Sequence, residues 1–89
     1  MALFKSGSVV ATPGALQFCE AQKINPLSLL ERHIAGDWGD LDAADAAANF
    51  RAVQTDLRIF SSYKIGGGKV WVITEADRSS TCMLLPDEY

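Results

Sequence analysis

The hydrophobic period of this chain changes once. Up to about Thr55 apolar residues recur at helical spacing, and from Leu57 onward they alternate. With 89 residues there is room for one core and not for two. The change therefore falls inside a single domain spanning 1–89. It predicts an α+β fold, with three N-terminal helices followed by a three-stranded antiparallel β-meander. The spacing divides the chain into a lead-in segment over 1–11, in which Val9-Val10-Ala11 reads as a short extended piece, a helical part over 12–56 and the meander over 57–86.

Two helix starts carry the same signal. Thr12-Pro13 and Asn25-Pro26 each place a capping side chain before a proline suited to the first helical position. The first predicted helix runs to about Gln22, with Ala15, Leu16, Phe18 and Cys19 on one face. The second runs to about Ala35, with Leu27, Leu30 and Ile34 as its apolar stripe and Gly36 ending it. Asp40 or Asp42 caps a third helix to about Thr55, with Ala46, Phe50, Val53 and Leu57 in phase. Asn49 sits beside that stripe as a candidate buried hydrogen-bonding residue.

Three strands follow. Leu57 to Tyr63, Val70 to Thr74 and Ser80 to Leu85 alternate or are β-branched, and Pro86 stops the last. Ile65 to Lys69, with three glycines, joins the first two. Both faces of these strands carry apolar residues: Val70 and Val72 point one way, Trp71 and Ile73 the other. Three helices cover one face. The second face needs the N-terminal segment, another subunit or a partner, so Trp71 and Ile73 are candidate interface residues.

Composition bears on function mainly by exclusion. Eight basic residues against eleven acidic ones give a net charge of −3, and the basic ones are scattered. That argues against nucleic acid as a partner, since non-specific binding draws on clustered Lys and Arg. No stretch approaches the roughly 20 apolar residues of a membrane span. Met1-Ala2-Leu3-Phe4-Lys5 lacks the basic start and long apolar run of a secretory signal, so the protein is expected in the cytoplasm. Cys19 and Cys82 have neither CxxC spacing nor histidine pairs, so they are read as reduced small hydrophobes, and neither a metal nor a cofactor is expected.

Two polar turns stand out. His33, the lone histidine, precedes Asp37 by four residues, within Gly36-Asp37-Trp38-Gly39-Asp40. With Ser79 or Ser80 this pair would imitate a hydrolase triad. No nucleophile elbow accompanies it, and a structural histidine bonded to the Gly-Asp turn is the simpler reading. The second turn is Glu75-Ala76-Asp77-Arg78-Ser79. There Arg78 either pairs with a carboxylate, Asp37 or Asp40, or holds a small anion or peptide carboxylate with the hydroxyls. The four carboxylates Asp37, Asp40, Glu75 and Asp77 lack a spacing diagnostic of acid–base or metal chemistry.

The strings His33 to Leu41, Ile73 to Thr81 and Leu84 to Tyr89 resemble a family of small bacterial proteins carried on plasmids and integrative elements. Its members are labelled plasmid-related, sometimes a type I restriction subunit. Asn49 and Ser61-Ser62-Tyr63 are similar to the same pattern, and the resemblance covers roughly residues 12–89. It implies a setting, mobile DNA in a bacterial cytoplasm, and no mechanism.

The expectation is a non-enzymatic interaction or regulatory protein, acting on a protein partner such as a host defence complex, or on itself as a homodimer. Its candidate binding surface joins His33, Asp37, Trp38 and Asp40 to Glu75, Asp77 and Arg78, or uses the second sheet face through Trp71. Two alternatives remain. One is a winged-helix DNA-binding protein, against which stand the carboxylates of Asp42 and Asp45 at the start of the third helix. The other is a small hydrolase using His33 and Asp37.

Overall fold

Capping side chains set the helix starts. Thr12 Oγ1 accepts from the Ala15 amide at 3.0 Å, Asn25 Oδ1 from Leu27 at 3.0 Å, and Asp42 Oδ1 from Asp45 at 2.8 Å. In the computed structural model, which describes residues 2–89, these start α1 (Pro13–Ala21), α2 (Pro26–Ile34) and α3 (Ala43–Thr55). A strand, β1 (Ser8–Ala11), precedes them. The strands β2 (Ile59–Ile65), β3 (Gly68–Thr74) and β4 (Ser80–Leu84) follow, and a short 3-10 turn over Pro86–Glu88 ends the chain.

The sheet differs from the expected meander. It has four strands in the order β1-β4-β3-β2, and it is mixed, with β1 parallel to β4 and the other pairs antiparallel. The lead-in segment thus contributes a strand, with Ser8 beside Ser80 and Ala11 beside Met83. Four residues are too few to show a period of two, and their partner lies at the far end of the chain. The β2–β3 hairpin is also tighter than expected, since Ile65 pairs with Gly68 and only Gly66-Gly67 turns.

The helices pack on one side, α1 against β4, α2 against β3 and α3 against β2. One buried cluster joins Cys19 and Leu29 to Tyr63, Val70, Val72 and Met83; a second joins Trp38, Ala52 and Ile59. The buried helix faces are rotated from the apolar stripes. In α2 the buried residues are Leu29 and His33, while Leu27 is 55% exposed. In α3 they are Asn49 and Ala52, while Phe50 and Leu57 are largely exposed. In α1, Ala15 and Cys19 are buried as expected but Leu16 is exposed.

The second sheet face carries Phe60, Trp71, Ile73 and Leu84. The described residues of the N-terminal segment do not lie over it. Leu3 donates its amide to the Ile34 carbonyl and Phe4 packs against His33 and Trp38, on the helix side. The C-terminal residues reach the second face instead. The 3-10 turn packs on β3, and the Tyr89 ring meets Trp71 edge-on at 5.8 Å, with Phe60 against Trp71 at 5.0 Å.

Candidate functional site

His33 is fully buried, and its ring does not bond the Gly-Asp turn. Its Nδ1 lies 2.5 Å from Ser61 Oγ on β2, and its Nε2 lies 2.9 Å from Thr74 Oγ1 on β3. Thr74 Oγ1 is 2.7 Å from Thr81 Oγ1, which donates to the Ser6 carbonyl at 2.7 Å. A carbonyl can only accept, so the proton order of the whole chain follows. Thr81 donates to Ser6, Thr74 donates to Thr81, and His33 Nε2–H donates to Thr74. Nδ1 is then the acceptor for the Ser61 hydroxyl. This order uses neutral imidazole, in agreement with burial lowering the His33 pKa to about 4. A triad of His33, Asp37 and Ser79 or Ser80 does not form.

Asp37 turns to Arg32 instead. Its Oδ2 accepts from Arg32 Nε at 2.7 Å and its Oδ1 from Nη2 at 3.3 Å and from the Gly39 amide at 3.1 Å. The Arg32 guanidinium first, and the Gly39 amide with it, hold the Asp37 carboxyl below its usual range against desolvation. The Asp37 carbonyl accepts from Tyr63 Oη at 2.6 Å, and the Arg32 guanidinium stacks 4.5 Å above the Tyr63 ring. Burial pushes the Tyr63 hydroxyl up to about 12.

The second turn is held by other partners. Glu75 pairs with Arg58 at 3.3 Å, and Asp77 accepts from the Ser79 amide at 3.0 Å. Arg78 meets carbonyls rather than carboxylates, those of Ala52 and Leu57 at 2.8 Å each and those of Glu75 and Ala76 at 3.1 and 3.2 Å. It thereby closes the C-terminal end of α3. Among the described residues no hydrogen bond or ion pair joins the two turns. Their link is the Phe4 ring, which lies 5.7 Å from the Arg78 guanidinium and stacks at 6.3 Å on Trp38. Trp38 is buried, its Nε1 without a hydrogen-bond partner among the described residues, and Asp40 is exposed. Trp71 is half-buried and Ile73 buried on the second face.

What this arrangement positions is the border of the sheet. The β2 edge is closed. Asn49 on α3 donates to the Phe60 carbonyl at 2.6 Å and accepts from the Phe60 amide at 3.1 Å. Two residues on, Ser62 donates to the Trp38 carbonyl at 3.1 Å and accepts from the Asp40 amide at 2.6 Å. Gly39 lies between these contacts with φ +76°, and a Cβ there would collide with the Ser62 carbonyl and the Tyr63 ring. The next outward position carries Lys64, which is exposed.

Among the described residues the β1 edge is open. Ser8 donates its amide to the Ser79 carbonyl and Thr12 to Met83, both at 3.0 Å. Strand alternation then turns the amides and carbonyls of Val9 and Ala11 away from β4. β1 is the last strand on this side and carries no charge and no proline. Its side chains are uncovered too, Val9 being 39% and Val10 51% exposed. Sequence reasoning placed an extended piece at Val9-Val10-Ala11 but missed its pairing at the edge of the sheet, and it missed the Ser61–His33–Thr74–Thr81 chain. The runs Ser61-Ser62 and Val9-Val10 were the available signals.

Among the described residues, no helix is long and apolar enough to cross a membrane, no group of three or more metal-ligating side chains converges, and Cys19 and Cys82 are free thiols. No protein-family model matches the chain, and neither a curated protein nor a solved structure matches it.

Proposed function

We propose that the chain is a small non-enzymatic protein-interaction module that takes up an extended segment of its partner along β1. The observation that supports this is the contrast between the two borders of one sheet. At β2 each of two consecutive outward positions has a dedicated partner, Asn49 for Phe60 and the Trp38–Asp40 backbone for Ser62. At β1 two valines stand more than a third exposed beside outward-facing backbone groups. Main-chain bonds along an open edge give affinity for any extended segment, and the side chains beside them give selectivity. The setting implied by the sequence resemblance, mobile DNA in the bacterial cytoplasm, belongs to the same reading.

Val9→Pro tests it. The substitution removes one outward amide and leaves the β4-facing bonds of Ser8 and Thr12, and proline is tolerated where an edge amide faces solvent. Binders selected from a random peptide library are expected to shift the amide resonances of Val9 and Ala11 and to lose binding to Val9→Pro. Binders that map elsewhere, or that bind Val9→Pro as well as the native chain, overturn the proposal.

A further inference from the structure

We infer that the segment taken up along β1 is β1 of a second copy of this chain, antiparallel and centred on Val10; this rests on the reading of β1 as the working edge. Two features of β1 point to a strand like itself. The first is length. The edge spans Ser8 to Ala11 and is stopped at both ends. At one end Gly7, with φ +63°, turns against the Arg78 and Ser79 backbone. At the other Pro13, which lacks an amide, opens α1. An incoming strand must therefore leave after about four residues, as β1 itself does.

The second feature is symmetry. The outward residues Val9 and Ala11 bracket Val10. In an antiparallel pair related by a two-fold axis, Val9 lies opposite Ala11 of the second copy and exchanges both main-chain bonds with it. The reverse pair does the same, giving four bonds. Val10 then faces Val10 of the second copy on the axis as a non-hydrogen-bonded pair, the type that brings side chains closest. Val10 is the more exposed valine, and it lies beside Cys82 in the β1–β4 register, with Ile73 beside Cys82 and Phe60 beside Ile73. The pairing therefore extends one apolar row, Phe60–Ile73–Cys82–Val10, through the axis into the same row of the second copy. Two four-stranded sheets become one of eight strands.

Charge pairing at position 10 tests the register. Sedimentation of the native chain is expected to show a reversible dimer. Val10→Asp and Val10→Lys, each alone, are expected to weaken it about tenfold or more, because each puts like charges face to face on the axis. Mixing the two variants is expected to restore the dimer as a heterodimer, and Val9→Pro to abolish it in every combination. A native chain that stays monomeric at millimolar concentration overturns the inference. So does a dimer that survives Val9→Pro, or a mixture of the two charged variants that associates no better than either alone. A monomer that still binds extended peptides at Val9 and Ala11 overturns the self-pairing alone. A monomer that binds none overturns the interaction reading as well.

Discussion

Asn49 holds both main-chain groups of Phe60 from the middle of α3, donating to its carbonyl at 2.6 Å and accepting from its amide at 3.1 Å. One side-chain amide thus does there what a neighbouring strand would do, and α3 is tied to β2 by the edge of the sheet as well as by the packing of Ala46, Ala52 and Val53 around Ile59. Asn49→Leu leaves both groups of Phe60 without partners. The expected loss is about 2–3 kcal/mol in urea unfolding at neutral pH, roughly the desolvation cost of two unpaired groups. A second outcome is expected alongside, increased self-association, because the β2 edge is uncovered. A loss under about 0.5 kcal/mol would show that water satisfies Phe60 equally well.

His33 makes the protein acid-sensitive in a definite window. Its folded pKa, about 4, lies below the unfolded value of 6.5, because burial disfavours the charged ring. Between those values the unfolded chain binds a proton that the folded one does not, so stability falls as pH falls from 6.5 to about 4. The expected loss across the window is about 3 kcal/mol. The carboxyls of Asp37, Asp77 and Glu88 are lowered in the fold from their ordinary values of 3.8, 3.8 and 4.5, so their contribution is present above those values and is lost mainly at lower pH. Chemical unfolding at pH 7 and pH 4.5 separates the two. His33→Gln is expected to be less stable at pH 7 but to lose little more at pH 4.5. An equal fall in both proteins would place the effect elsewhere.

Arg78 combines a left-handed backbone, φ +61°, with a guanidinium bonded to four carbonyls. The two features separate by mutation. Arg78→Ala removes the bonds and keeps the backbone strain; Arg78→Gly removes both. Arg78→Gly is expected to be the more stable of the two by about 1 kcal/mol, with both below the native chain in thermal unfolding. Reversed order would mean that the turn relaxes once the guanidinium is gone.

Asp37 is the carboxylate that a triad with His33 would need, and its ion pair is half-exposed, at 46% and 52% for the Arg32 and Asp37 side chains. Asp37→Asn keeps an acceptor for the Gly39 amide and gives up the charge. It is expected to cost less than about 1 kcal/mol, with the difference from the native chain shrinking in high salt. A larger, salt-independent loss would mean that the turn itself had been undone.

The helix starts were legible because each rests on a local signal, a capping side chain followed in two cases by proline. The helix faces were less so. His33 and Asn49 occupy core positions, and an apolar count skips a polar residue even when hydrogen bonds compensate its burial. That rotated the expected faces toward Leu27 and Phe50. β1 was invisible to periodicity because four residues show none, and its partner is at the far end of the chain. Of the candidate site, the carboxylates and Arg78 were recognisable as pairing groups, but local sequence does not choose between partners. Asp37 found Arg32 rather than Arg78 or His33, and Arg78 found backbone carbonyls of its own turn and of the segment where α3 ends.

Ser8 pairs with Ser80, and Thr81 reaches back to the Ser6 carbonyl. A chain that emerges from the ribosome with its N-terminus first therefore carries β1 with no strand to lie against until β4 has been made. The hydroxyl chain through His33 is likewise incomplete until Thr81 has appeared. Closure of the core is accordingly a late and long-range event, slow by the measure of sequence separation. During that interval Val9 and Val10 are open on both sides, so crowded nascent chains would meet first at the same strand that the finished protein leaves uncovered.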